Sequence, residues 1–479
     1  DVATLAQEAG CPQAQAHVAT EDFQRSLSAC RAAAQVDYAG VARLKFPMLR
    51  VLFDWISARQ GGHWTQFLAY RQAAGETFER HCLFLALRAH FAARHPAAPD
   101  WRQWPEGYRS PQGAGTREFA QAQATEVTFQ AWLQYVADRQ LQQAARAAAP
   151  LEVGLYRDLA VGADSSGAET WSNQRAVVRG AEVGAPPDIY NPQGQDWGLP
   201  PFNPLELKRE AYRSFIELLR ANMRHAGGLR IDHVMALQHL YWIPQGATPG
   251  QGAYVRYPLE DLIGVLALES HRNRCLVVGE DLGTVPAGFR ERMSAAAILS
   301  YRVLAFEKDA EGFVPPERYP HLSLAVAGSH DLPTLRGWWR ASDLDLKEEL
   351  DLFPTPQLQR EARQDRDADR RGVLEAFGQD ARHEPLQPQE FVEAAHEYLA
   401  ATASALVMVQ IDDITGEETP VNVPTTSDQY PNWRRRLSLT LEQLQQHPGL
   451  QHLARRLKAV RGGQDNGGRC TDTHSAPGP

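Results

Sequence analysis

With 479 residues, 43% of them hydrophobic and 22% charged, the chain has the composition of a globular protein large enough for one to three domains. A formal net charge of −9, with no basic stripe interleaved with aromatics, argues against a nucleic-acid partner. No apolar run approaches the roughly 18 residues of a membrane span. Five scattered cysteines (Cys11, Cys30, Cys82, Cys275, Cys470), none in a close pair, point to reduced thiols and a cytoplasmic setting.

The first 35 residues are rich in Ala and Gln and are expected to be helical. Val41, Leu44, Met48, Leu52 and Trp55 follow helical spacing over residues 37–60, and Pro47 should kink or split that helix. Another helix is expected over residues 76–95. A Pro- and Trp-rich loop, His95 to Gly115, holds Trp101, Trp104 and Tyr108. Such a cluster can stack sugar rings but more often pins a long loop, and the latter is expected. A helix over residues 118–147 follows. Residues 1–150 thus read as a helical insertion or subdomain between early barrel strands.

Beyond residue 150, apolar strand-like runs alternate with helices. The first, near 153–158, ends in Arg157-Asp158. Residues 161–205, rich in Gly, Pro, Asn and Ser, are expected to form an ordered binding loop carrying Trp171, Tyr190, Gln195 and Trp197. After a helix at 207–225, Gly227 and Gly228 resemble a helix C-cap. Then comes Gly228-Leu229-Arg230-Ile231-Asp232-His233-Val234, in which apolar and ionisable residues alternate. A Gly/Pro loop at 244–257 and a helix at 259–271 lead to Cys275–Asp281, an apolar run ending in Glu280-Asp281, and Thr284 with Pro286 should open the next helix. Strands near 298–306, 322–331 (ending in Ser329-His330-Asp331) and 404–411 follow, interleaved with charged helices over 343–385 and a helix at 389–401. A last helix at 437–460 precedes a Gly-rich tail, 461–479, expected to be disordered.

Alternating strands and helices predict an α/β fold with a parallel sheet. Six such strands are countable. The (β/α)8 TIM-type barrel needs eight, so residues 151–460 read as an incomplete barrel with helical insertions.

Asp232 and Glu280 would end neighbouring strands, about 4.8 Å apart. Two carboxyls at about 5–5.5 Å suit displacement with retention at a glycosidic bond, one as nucleophile and the other as proton donor and then base. Arg230, two residues before Asp232, shares its face and can hold it ionised, although a purely structural ion pair fits as well. Glu280, in an apolar strand end near other acids, should have a raised pKa. Asp331 with His330 could grip sugar hydroxyls. Metal binding by the acids is the weaker reading, because they end different strands beside Arg and His and form no close ligand motif.

These residues resemble the 4-alpha-glucanotransferases (amylomaltases), relatives of the alpha-amylase group. The resemblance is carried by Gly228 to Val234, by Val278-Gly279-Glu280-Asp281-Leu282-Gly283-Thr284-Val285-Pro286 and by Ser329-His330-Asp331-Leu332-Pro333-Thr334. Tyr156-Arg157-Asp158-Leu159, Gly194-Gln195-Asp196-Trp197-Gly198-Leu199-Pro200 and Tyr430-Pro431-Asn432-Trp433-Arg434-Arg435 add to it. It implies Asp232 as nucleophile, Glu280 as acid/base and Asp331 as transition-state stabiliser. It implies that Arg230, His233 and His330 line the donor sugar subsite and that Asp158, Gln195 and Trp197 contribute to the glucan groove. It further implies transfer of alpha-1,4-glucan segments between maltooligosaccharides, with no cofactor or metal, no nucleic acid and no membrane. The alternatives are an alpha-glucan hydrolase of the same fold, or a non-catalytic glucan-binding protein or inactive fragment. Two departures accompany the resemblance. The chain is expected to be partial, lacking the family's N-terminal barrel strands, and Pro424-Thr425-Thr426 stands where the family usually has Pro-Gly-Thr.

Overall fold

The computed structural model describes residues 2–95, 100–187, 193–379 and 386–464. The chain forms two units: Asp1–Ala32 with Tyr38–Ile298, and Ala33–Asp37 with Leu299–Pro479.

The first unit opens with seven helices: α1 (Val2–Glu8), α2 (Pro12–Val18), α3 (Glu21–Ala32), α4 (Tyr38–Arg59), α5 (Gly62–Arg94), α6 (Ala114–Ala122) and α7 (Ala124–Ala147). α4 runs through Pro47 as one helix, so of the kink or split expected there the split does not occur. Within α5, Gly75 (φ 78°, ψ −167°) separates two helices, the second of which is the one expected from residue 76. Aromatic rings fill the space between these helices. Trp104 is buried and stacks between Phe84 and Phe91, at 5.6 and 4.8 Å. Trp101 and Trp104 therefore pin their loop, as expected. Trp171, expected on a binding loop, is instead wholly enclosed in this helical core, with its Nε1 donating to the Tyr108 carbonyl at 2.9 Å. Tyr190 and Cys470 lie outside the described residues.

The rest of this unit comprises β1 (Tyr156–Leu159), α8 (Ala168–Ser172), β2 (Ala181–Ala185), β3 (Gln195–Leu199), α9 (Pro204–Arg209), α10 (Arg213–Met223), β4 (Gly228–Ile231), β5 (His239–Pro244), β6 (Ala253–Arg256), α11 (Leu259–Asn273), β7 (Leu276–Gly279) and α12 (Phe289–Ala295). β1, β4 and β7 are parallel neighbours, with Asp158 opposite Arg230 and Ile231 opposite Gly279. Leu229 and Val277 are buried on the side packed by Leu219 and Met223 of α10 and Leu262 and Leu266 of α11. A second, antiparallel sheet orders β3-β2-β5-β6. β2, β3 and β6 fall in stretches expected to be loops, at 161–205 and 244–257, and β5 runs up to the start of the second. Gly227 and Gly228 do not cap a helix. The left-handed residue is His225 (φ 67°), whereas a Cβ at Gly227 would lie 1.4 Å from the Val153 carbonyl oxygen, so close backbone approach demands that glycine. α12 likewise starts at Phe289, after Gly288 (φ 77°), and not at Thr284.

The second unit contains β8 (Leu299–Val303), the two-residue strands β9 (Lys308–Asp309) and β10 (Gly312–Phe313), β11 (Ser323–Val326), α13 (Leu335–Arg340), α14 (Ser342–Glu349), α15 (Pro356–Ala376), α16 (Pro388–Ala400), β12 (Leu406–Met408), α17 (Ile411–Thr415), α18 (Leu441–Gln445) and α19 (Pro448–Gln464). β8, β11 and β12 are parallel, with β11 paired to both others. Trp339 stacks on Phe391 at 4.3 Å in a core shared with Ala325, Val373 and Leu399. The charged stretch from 343 is held by a two-pronged pair, Arg366 to Asp343, at 2.7 and 2.8 Å. α19 continues past Arg461, where a disordered tail was expected to begin; residues 465–479 lie outside the described residues. Among the described residues no helix is long and apolar enough to cross a membrane.

Candidate active site

Register alone brings the first group of ionisable residues together. Because Ile231 pairs with Gly279, the next residues on the two strands, Asp232 and Glu280, emerge side by side. The backbone continues this match past the strands: Glu280 N–H donates to Ile231 O at 2.9 Å, and Val234 N–H donates to Glu280 O at 3.0 Å. Gly279 permits the approach, since a Cβ there would lie 2.8 Å from the Val234 side chain.

Arg230 sits at the centre. Its side chain is buried, yet it touches two partly exposed carboxylates: Nη1 donates to both oxygens of Asp158 at 2.8 and 3.0 Å, and Nη2 lies 2.9 Å from Oδ1 of Asp232. Burial disfavours its charge. The Asp158 and Asp232 carboxylates, with Glu280 behind them, more than offset that and raise its pKa. Arg230 is therefore a fixed cation bridging the ends of β1 and β4.

Glu280 is buried, and backbone amides hold its carboxyl. Oε2 accepts from His233 N–H and Oε1 from Leu282 N–H, both at 2.8 Å. Burial raises its pKa above the ordinary carboxyl value, and the charge on Asp232 adds to this. The Leu282 and His233 amides and Arg230 pull the other way and lose. His233 itself is left-handed (φ 47°), which turns its N–H toward Glu280. Its ring meets Trp197 edge-on at 5.3 Å, and burial, followed by His239, pushes its pKa down to about 4. Trp197 Nε1 in turn donates to Gln195 Oε1 at 3.0 Å, which joins β3 to the group. Seven of the nine residues singled out from the sequence (Asp158, Gln195, Trp197, Arg230, Asp232, His233 and Glu280) thus form one connected cluster.

His330 and Asp331 belong to the second unit, on the segment that follows β11. His330 Nε2 lies 3.2 Å from Asp331 Oδ2, and the His330 ring is 5.3 Å from that of Trp433. Sequence reasoning missed Asn422, whose side-chain amide donates to Asp331 Oδ1 at 2.7 Å. A lone Asn in a Val-Asn-Val-Pro run carries no spacing signal that would mark it. The loop bearing Trp433 is tied by Asn432, which accepts from Val423 N–H at 2.8 Å and donates to Thr426 Oγ1 at 2.8 Å. Trp433 is left half-exposed, in a left-handed conformation (φ 61°).

A parallel β/α fold whose strands release ionisable side chains at their carboxyl ends defines the TIM-barrel class of protein. The chain belongs to the 4-alpha-glucanotransferase family, whose model matches residues 6–441. It is 34% identical over 459 residues to the 4-alpha-glucanotransferase of Haemophilus influenzae, covering 92% of this chain and 66% of that protein. It is 38% identical over 386 residues to that of Mycobacterium tuberculosis, covering 78% of this chain and 52% of that protein. The chain thus spans between half and two thirds of the length of these curated relatives. Among solved structures, the amylomaltase of Corynebacterium glutamicum superposes with a TM-score of 0.74 at 29% identity, over 89% of this chain and 60% of that one. The Streptococcus agalactiae amylomaltase in complex with acarbose gives the same TM-score at 17% identity, over 96% of this chain and 84% of that one, and shares the fold.

Proposed function

We propose that the protein transfers alpha-1,4-glucan segments between maltooligosaccharides with retention of configuration. Asp232 attacks the anomeric carbon while the glycosidic bond breaks and Glu280 gives its proton to the leaving oxygen. An acceptor sugar hydroxyl then loses its proton to Glu280 and displaces Asp232 from the anomeric carbon. Asp331 stabilises the charge that develops on the ring. Arg230, His233 and His330 line the donor sugar subsite, and Asp158, Gln195 and Trp197 extend the glucan groove. The helical residues 1–150 are an insertion beside this machinery, and the setting is cytoplasmic.

The observation that carries this reading is the contrast between two adjacent carboxyls. Asp232 faces the guanidinium of Arg230, whereas Glu280 is buried with a raised pKa. Unlike environments of this kind separate a nucleophile from a proton donor.

Incubation of the protein with maltotriose tests the reading. Maltotetraose and longer oligomers are expected among the products. Glucose and maltose alone would assign the site to hydrolysis, and no turnover at all would leave only binding.

A further inference from the structure

We propose that Arg290 is a positioning residue for Glu280, acting through the single peptide group that joins Asp281 to Leu282. The inference rests on the acid/base role given to Glu280 above. The N–H end of that peptide group donates to Glu280 Oε1 at 2.8 Å. Its C=O end accepts from Arg290 Nη2 at 3.0 Å, while Arg290 Nε donates to Asp281 Oδ2 at 2.6 Å. One guanidinium therefore grips the side chain and the main chain of Asp281 together, and a rigid, planar group passes that grip to the Glu280 carboxyl.

The segment needs such a clamp. It leaves β7 after Gly279 and has left-handed glycines at Gly283 (φ 80°) and Gly288 (φ 77°) before α12 begins, so its own backbone is permissive. Asp281 is fully buried while the Arg290 side chain is about half exposed, so the arginine reaches in from the first turn of α12 to a fixed anchor. Donation to the carbonyl also polarises the peptide and strengthens its N–H as a donor. Within the first unit, the charged and titratable groups facing Glu280 are Asp232 and Arg230, with the His233 amide on its other oxygen. Arg290 touches none of these. Its effect on the carboxyl runs through the peptide, and loosening that peptide removes a donor that favours the ionised form of Glu280.

Arg290→Met keeps the stem and deletes the donors; Arg290→Lys keeps the charge but lacks the rigid planar fork that grips both oxygens. For Arg290→Met, the alkaline limb of the kcat/KM pH profile should move up by about half a pH unit or more. Its kcat should fall about tenfold, with KM for maltotriose within about twofold of the unsubstituted protein. Arg290→Lys should move in the same direction by less. Folded variants with an unchanged profile and kcat would overturn the proposal, as would loss of folding in both variants, which would mark Arg290 as structural. Glu280→Gln, measured in parallel, separates the two levels. If it still turns over, the role of Glu280 is wrong; if it is dead while the Arg290 variants behave normally, only the clamp is wrong.

Discussion

The backbone N–H of His233 donates to Oε2 of Glu280 at 2.8 Å. The residue that follows Asp232 thus fixes the carboxyl on the neighbouring strand. Asp232 and Glu280 are coupled through main chain, and the first tests address what each side chain adds to that frame.

Glu280→Gln preserves shape but removes the transferable proton, and its single amide oxygen can accept from only one of the two backbone N–H groups. Turnover of maltotriose should fall by about 10²–10⁴-fold, the range for loss of a general acid/base. Affinity for maltooligosaccharides, measured by titration calorimetry, should stay within a few-fold. Retained turnover would exclude this assignment of the acid.

Arg230→Met leaves Asp158 and Asp232 facing each other without the cation between them. Removing one member of a buried pair costs about 3–5 kcal/mol. Both carboxylates are partly exposed, so a loss of about 2–3 kcal/mol is expected in urea unfolding. Maltotriose turnover should fall alongside it. A variant as stable and active as the parent would show that the bridge is dispensable.

The depressed pKa of His233, about 4, sets a pH dependence. An unfolded histidine titrates near 6.5, so the stability tied to its neutral form is fully present above about pH 6.5 and is lost as pH falls toward 4, reaching about 3 kcal/mol. Glu280 acts in the opposite sense. Its raised folded pKa means that its contribution is present below the ordinary carboxyl value and is lost as pH rises through the folded one. Urea unfolding at pH 7.5 and 4.5 should therefore show a smaller acid-side loss in His233→Gln than in the parent. Identical losses in the two proteins would contradict the assignment.

Thr425 is exposed and left-handed (φ 72°), a conformation that a β-branched residue adopts at a cost. Thr425→Gly should relieve that strain and raise thermal stability by about 1 kcal/mol. The net gain is reduced by the greater freedom of glycine in the unfolded chain. A lower melting temperature would show that the Thr425 side chain makes a contact worth more than the strain.

The six parallel strands were legible because each is a short apolar run that ends in a polar signature, and all six appear within a few residues of where the pattern put them. The antiparallel sheet was not. Ala181–Ala185 and Gln195–Leu199 are glycine-bearing and mixed in polarity, so they imitate loop composition. His239–Pro244 did carry a signal, since Leu240, Tyr241, Trp242 and Ile243 are strong strand formers, but it was hidden next to the proline- and glycine-rich stretch that follows. At the candidate site, side-chain chemistry was readable and main-chain chemistry was not. Nothing in the letters of His233 or Leu282 says that their amides will point at one carboxyl. The C-cap reading of Gly227 failed for a related reason: the glycine answers to a distant carbonyl at Val153 and not to the helix before it.

The pairing of Ile231 with Gly279 has a wider implication. A hydrogen-bonded ladder sets the spacing of the two acids, and the connections flanking the strands do not. Those connections are free to diverge in length and composition while the distance between the two carboxyls stays constant. New specificities on this scaffold can therefore be sought by rewriting what surrounds the strands, with the chemistry left untouched.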